Sequence, residues 1–371
     1  MRGPSIQRPV ANAPEIDLDA ASSSDRRATR SAKADNSRAA AASLSAATPG
    51  SGAATASDSE HCGFEDGPKS APAEMRDGDI VADQTKAAGP SWVTTQARID
   101  AALRGSADPF DHAVADLVNV GNMRTPAGQL ETLVQSAAAS SDPRIYSLAF
   151  RACYSVGHRS PIFKKPGPPA FCASLTARRW AALDPGNGVP WLWVLSQAGD
   201  DEDEAGRQDA LAHLAATTRF DDRAWQAAAA VVAHAPAEDA NDVATHDLAT
   251  QAWSALSPPG LGPLATLCRA RAGGDTTLAD QCASIATTMF DRSDSWGLRF
   301  AGASLTVYLT GDETRRIAAR AERAALDARL RANIPPSSCG VLHDQMRHTL
   351  RAGQIGDLAA DREEATLAAK P

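Results

Sequence analysis

Aromatic side chains are scarce in this chain, at 5% of its 371 residues, and no run of about 18 apolar residues exists from which a membrane-spanning helix could form. The N-terminal stretch MRGPSIQRPVANAPEIDLDAASSSDRR lacks the apolar core of a secretory signal, and Glu15, Asp17 and Asp19 argue against an organellar transit peptide. A cytoplasmic location is the default expectation. Basic residues do not dominate either: Lys and Arg total 37 against 45 for Asp and Glu, the formal net charge is −8 and the isoelectric point is near 5.5. Such a balance gives no general attraction to phosphate backbones, so nucleic acid is not an expected partner. Motifs that carry chemistry are missing as well. There is no Gly-x-Ser-x-Gly elbow, no phosphate-cradling glycine loop, no zinc-protease His-Glu pair and no closely spaced cysteine pair of the zinc-site kind. His343 and His348 fall about 140° apart around a helix rather than on one face. No catalytic residue, cofactor or metal is expected.

What the chain has is alanine. Apolar residues reach 43%, with alanine a large share of them, a composition suited to closely packed helices. Residues 1–90 stand apart, being rich in Ala, Ser, Gly, Asp and Pro with scattered charge. They have too little apolar surface to offset chain entropy, and the expectation is a disordered tail. Its functional reading is a tether or an export signal, and its bland one a solvated extension or a misassigned start. Residues 91–141 read as an irregular helical cap, and from 142 to 335 a rhythm sets in. Turns at Asp200, near Glu238, at Asp275 and at Asp312 recur about every 37 residues. A second set, near Pro185, Asp221, Pro258 and Asp291, recurs about every 33 to 37. Between these breakers apolar residues keep helical spacing, as in Leu278, Cys282, Ile285 and Met289. Residues 336–371 offer a capping helix, with Val341, Leu342, Met346, Thr349 and Leu350 on one face, followed by a polar tail.

The string LDPGNGVPWLWVLSQAGD resembles the junction of tetratricopeptide (TPR) repeats. Its matching features are Leu183, Asp184, Pro185, Asn187, Trp191, Gly199 and Asp200, echoed in part by Gly274-Asp275 and Gly311-Asp312. The period exceeds the usual 34 or so of that family by a few residues. The resemblance implies an all-α, TPR-like α-solenoid of about five helical hairpins, a right-handed superhelix. It also implies a non-catalytic scaffold that binds a protein or peptide. The alternatives are an exported effector-like protein using its tail as a signal, and an enzyme with an unrecognised cleft.

Candidate residues follow from this picture. Cys153 and Cys172 lie symmetrically about one break, and Cys268 and Cys282 about Asp275. Residues equidistant from an antiparallel turn sit side by side, so each pair can reach disulfide spacing, which would place the chain outside a reducing cytosol. The other reading is four small buried hydrophobes. Cys62 and Cys339 have no evident partner. Trp193, Arg269 and Arg299 lie off the apolar stripes of their helices, where a superhelix presents its concave binding face. For Trp193 the competing expectation is burial against the preceding hairpin.

Overall fold

The computed structural model describes residues 90–121, 126–158, 168–237, 239, 242–256, 258–270, 276–332 and 338–368. Residues 1–89, the bulk of the expected tail, lie outside the described residues. Within them the chain is all-α: fifteen helices, one 3₁₀ turn and no strand.

The first four helices are α1 (Pro90–Arg104), α2 (Pro109–Gly121), α3 (Pro126–Ala139) and α4 (Pro143–His158). Each opens on proline, whose fixed φ and missing N–H suit the first turn. Asp108 and Asp142 stand just ahead of α2 and α4 and accept the N–H groups of Phe110 and Arg144 at 3.0 and 2.8 Å. The Arg144 guanidinium reaches both aspartates, which ties the two helix starts together.

Leu175 and Trp180 give residues 170–183 the look of a single helix partnering α4. The structure breaks it into a 3₁₀ turn (Ala170–Ser174) and α5 (Ala177–Leu183). Leu175 is extended, and Thr176 caps α5 by accepting the N–H of Arg179 while its own N–H donates to the Tyr146 hydroxyl. A capping threonine is satisfied by ending a helix rather than running through one.

The hairpins that follow fall where the breakers place them: α6 (Val189–Asp200) with α7 (Glu204–Ala216), α8 (Ala224–Ala233) with α9 (Val243–Ser254), α10 (Gly262–Ala270) with α11 (Thr276–Asp291), and α12 (Trp296–Thr310) with α13 (Thr314–Ala332). The acidic turn before α7 is exposed, and Asp203 caps that helix through the N–H of Gly206. The chain closes with α14 (Ser338–Ile355) and α15 (Asp357–Ala368). The last is not the polar tail expected from composition. Its Leu358 and Ala365 join Trp296 of α12 and Leu326 of α13 in one apolar cluster.

Order in space departs from order in sequence. The pair α10/α11 rests on α6/α7, whereas α8/α9 rests chiefly on α14, α1 and α2. One hairpin therefore leaves the expected line of consecutive neighbours. The composition of α8 accounts for this, since Ala224, Ala227, Ala228, Ala230, Val231 and Val232 are all buried and such a helix needs neighbours on several sides. On α14, Gly353 faces Ala229 so closely that an added Cβ would collide with it, which sets the near approach of α14 to α8.

Candidate functional site

The turns between hairpins line up into a polar seam. Parallel bridges join Asn187 to Arg219 and Phe220 to Ser293, so the turn near Pro258 is skipped, as the displaced hairpin requires. The N–H of Leu358 then reaches the carbonyl of Asp294 and adds the α14–α15 turn. Each turn exposes backbone groups of two helix ends, and polar side chains satisfy them.

Asn187, fully buried, fastens the first two turns. Its Nδ2 donates to Asp184 Oδ2 at 2.8 Å and to the Asp221 carbonyl at 3.0 Å. Its Oδ1 accepts from the N–H groups of Val189 at 3.1 Å and Asp221 at 3.0 Å. Arg219 and Arg223 both close on Asp184, at 2.5 and 2.9 Å. Further along, Asp294 accepts the N–H groups of Asp222 and Arg223 at 2.8 and 3.2 Å, capping α8 from a distant part of the chain. Arg223 takes the left-handed backbone, φ 57°, to present its N–H there. Asp222 is met by Arg151, whose side chain is 2% exposed and whose Nη1 lies 2.9 Å from Asp222 Oδ1.

Where these turns meet α14 there is an open cavity of about 350 Å³, with Asp221, Trp225, Gln226, Asp294, Gly353 and Gln354 among its lining. Burial, and then the charge of Asp222, push the Asp294 carboxyl up to about 7 against the pull of its two backbone donors. The buried Gln226 Oε1 has no hydrogen-bond partner. Trp225 stacks on Trp253, 38% exposed, with ring centroids 5.5 Å apart. It also meets His348 edge-on at 5.8 Å.

A second group lies beyond His348. His348 Nδ1 is 3.3 Å from Glu364 Oε1 and 3.7 Å from Asp361 Oδ1. Burial works against the imidazolium, but the bond to Glu364 and the charges of Glu364, Asp361 and Asp357 outweigh it and raise the His348 pKa. Asp361 Oδ2 accepts from Trp296 Nε1 at 2.7 Å and from Arg323 Nη1 at 2.9 Å. At the head of α15, burial and the charge of Asp361 push Asp357 up to about 7, against the pull of the Leu358 N–H.

The residues singled out from sequence lie elsewhere. Trp193 takes the second of its two expected places: it is completely buried, its ring edge-on to Phe150 at 5.4 Å and to Tyr154 at 4.2 Å, and it lines no open face. Arg299 is similarly committed, lying over the Phe290 ring, donating to the Phe290 carbonyl and pairing with Glu322 at 2.8 Å. Arg269 alone of the three is exposed, stacked on Tyr308 at 4.3 Å. The structure bonds Cys153 to Cys172 and Cys268 to Cys282, with Cα separations of 5.9 and 5.8 Å.

Sequence reasoning missed Asp294, Asp357 and the His348 group. A readable trace existed for the last, since Asp361 and Glu364 are one helical turn apart across Gly356 from His348. Comparison with protein-family profiles, curated proteins and solved structures finds no match for this chain.

Proposed function

We propose that this chain is a non-catalytic binding scaffold whose seat is the cavity on the turn seam, and that it takes a lysine or arginine side chain presented by a protein or peptide. The observation that carries this reading is the Asp294 carboxyl on the cavity wall, held near 7 beside Asp221 and Asp222. Among the described residues Arg223 pairs with Asp184, Arg151 with Asp222 and Arg219 with Asp221, while Asp294 meets only backbone donors. An incoming ammonium or guanidinium group would supply the counter-charge and a charge-assisted hydrogen bond. Trp225, on the cavity lining, adds an aromatic face of the kind that attracts cations. The TPR-like junction at 183–200 and the hairpin period favour a peptide-binding scaffold of repeat origin, in which the α8/α9 hairpin has been displaced from the row.

The test is a titration of the full chain with fluorescently labelled Lys-rich, Arg-rich and Glu-rich peptides. Basic peptides are expected to bind at pH 8, and at least about 10-fold more weakly at pH 5.5, where Asp294 is protonated, or in Asp294→Asn. Preference for acidic peptides, or binding indifferent to Asp294→Asn, would refute the reading. A second reading, acid–base catalysis, has one observation in its favour: Asp294 and Asp357 both titrate near 7. It would show as a cleaved or altered peptide recovered from the same titration, where a scaffold returns it intact.

A further inference from the structure

We propose that His348, Asp361 and Glu364 form a binding site for a divalent transition-metal ion, with zinc the best match. The turn at Gly356 folds α15 back along α14 and brings an imidazole of one helix against two carboxylates of the other, three donors that all lie within 4.8 Å of one another. Bonds of about 2.0–2.2 Å to a tetrahedral ion place its ligands roughly 3.3–3.6 Å apart. His348 Nδ1 stands 3.3 Å from Glu364 Oε1 and 3.7 Å from Asp361 Oδ1, two edges close to those of that shell, and the two carboxylates lie within 4.8 Å of each other. The second distance is longer than a hydrogen bond and is that of an ion pair with a protonated imidazole, which a bound metal ion would replace. The nitrogen donor also disfavours calcium and magnesium, which prefer shells of oxygen.

The donors are oriented from behind as metal ligands are. Trp296 Nε1 and Arg323 Nη1 both hold Asp361 Oδ2, which turns Oδ1 toward His348. The side chains of Asp361, Glu364 and His348 are 7%, 19% and 22% exposed, so the site is shielded from bulk water yet reachable. Arg323 does not cancel the charge of the group, because it also pairs with Asp327 at 2.9 Å. Three protein donors leave the fourth tetrahedral position to water or to a donor from a partner. The cavity residue Asp294 is not a ligand, so this site stands or falls independently of the peptide-binding reading.

The full chain, stripped with EDTA, is titrated with zinc chloride by calorimetry, and with cobalt(II) as an absorbance probe of tetrahedral geometry. One zinc ion per chain is expected, with visible cobalt bands. Glu364→Gln and His348→Gln should each weaken zinc at least about 10-fold with unchanged circular dichroism, while Asp294→Asn should retain it. Zinc affinity and stoichiometry unaltered in both variants, or no zinc bound at millimolar concentration, would overturn the proposal. Glu364→Gln keeps the length and shape of the side chain, so it carries the test by itself if His348→Gln does not fold.

Discussion

At the scale of single residues, Asp294 joins stability to pH. In the unfolded chain its carboxyl titrates near about 3.9. In the folded chain burial and Asp222 hold it up to about 7. Between these values the folded state binds the extra proton, so the contribution of Asp294 to stability is full at and below about pH 4 and declines as pH rises through about 7. In Asp294→Asn the group that titrates is gone. The loss of stability between pH 5 and pH 8 is expected to shrink by about 2–3 kcal/mol, measured by urea unfolding at both pH values. An identical slope in variant and parent would remove Asp294 as its source. Nothing local announces this role, because the N–H groups that Asp294 caps lie 72 and 71 residues away. Asn187 was easier to notice, since its two partners in the Asp184–Val189 turn are near neighbours within the TPR-like string.

At the scale of elements, local signals located the helices. Proline at the first position, aspartate or serine as cap, and glycine past the end act within one turn and need no knowledge of neighbours. Ser295 caps α12 through the N–H of Leu298, and Gly311 ends it with φ 71°. Two glycines inside α12 then behave in opposite ways. A Cβ at Gly302 would lie 2.6 Å from the Ala286 carbonyl and from the Phe290 nitrogen of α11, whereas one at Gly297 meets nothing within 4 Å. Gly302→Ala should destabilise by about 1–3 kcal/mol through overpacking. Gly297→Ala should stabilise by up to about 1 kcal/mol through helix propensity. Thermal melts of the two variants, moving in opposite directions, check the α11–α12 contact. The helix α15 escaped notice for a physical reason: it is polar on average, yet it buries Leu358, Ala360 and Ala365, too few apolar residues to stand out in composition. Trp193 is core although it lies off the apolar stripe, because a helix enclosed on several sides buries more than one face.

At the scale of the whole molecule, the disulfides Cys153–Cys172 and Cys268–Cys282, those among the described residues, link segments 19 and 14 residues apart in sequence. Each is expected to stabilise by about 3 kcal/mol by restricting the unfolded chain. Material made in an oxidising compartment should yield linked peptides carrying Cys153–Cys172 and Cys268–Cys282 in a non-reducing digest. Reductant should lower Tm by on the order of 10 °C. Free thiols at all four positions would return these cysteines to the role of small buried hydrophobes.

The amino-acid sequence alone settled the helical class, the positions of the hairpins and the symmetric placing of the cysteine pairs, because each depends on spacing along the chain and on caps and breakers within a turn of one another. The tertiary structure decided that α8/α9 leaves the row to rest on α14, α1 and α2, and that Asp294, Trp225 and Gly353 enclose a cavity. It also decided that α15 folds back to set Asp361 and Glu364 against His348. Those outcomes rest on helices buried from several sides choosing neighbours distant in sequence, a choice made by shape and charge meeting in space, which no repeat period encodes.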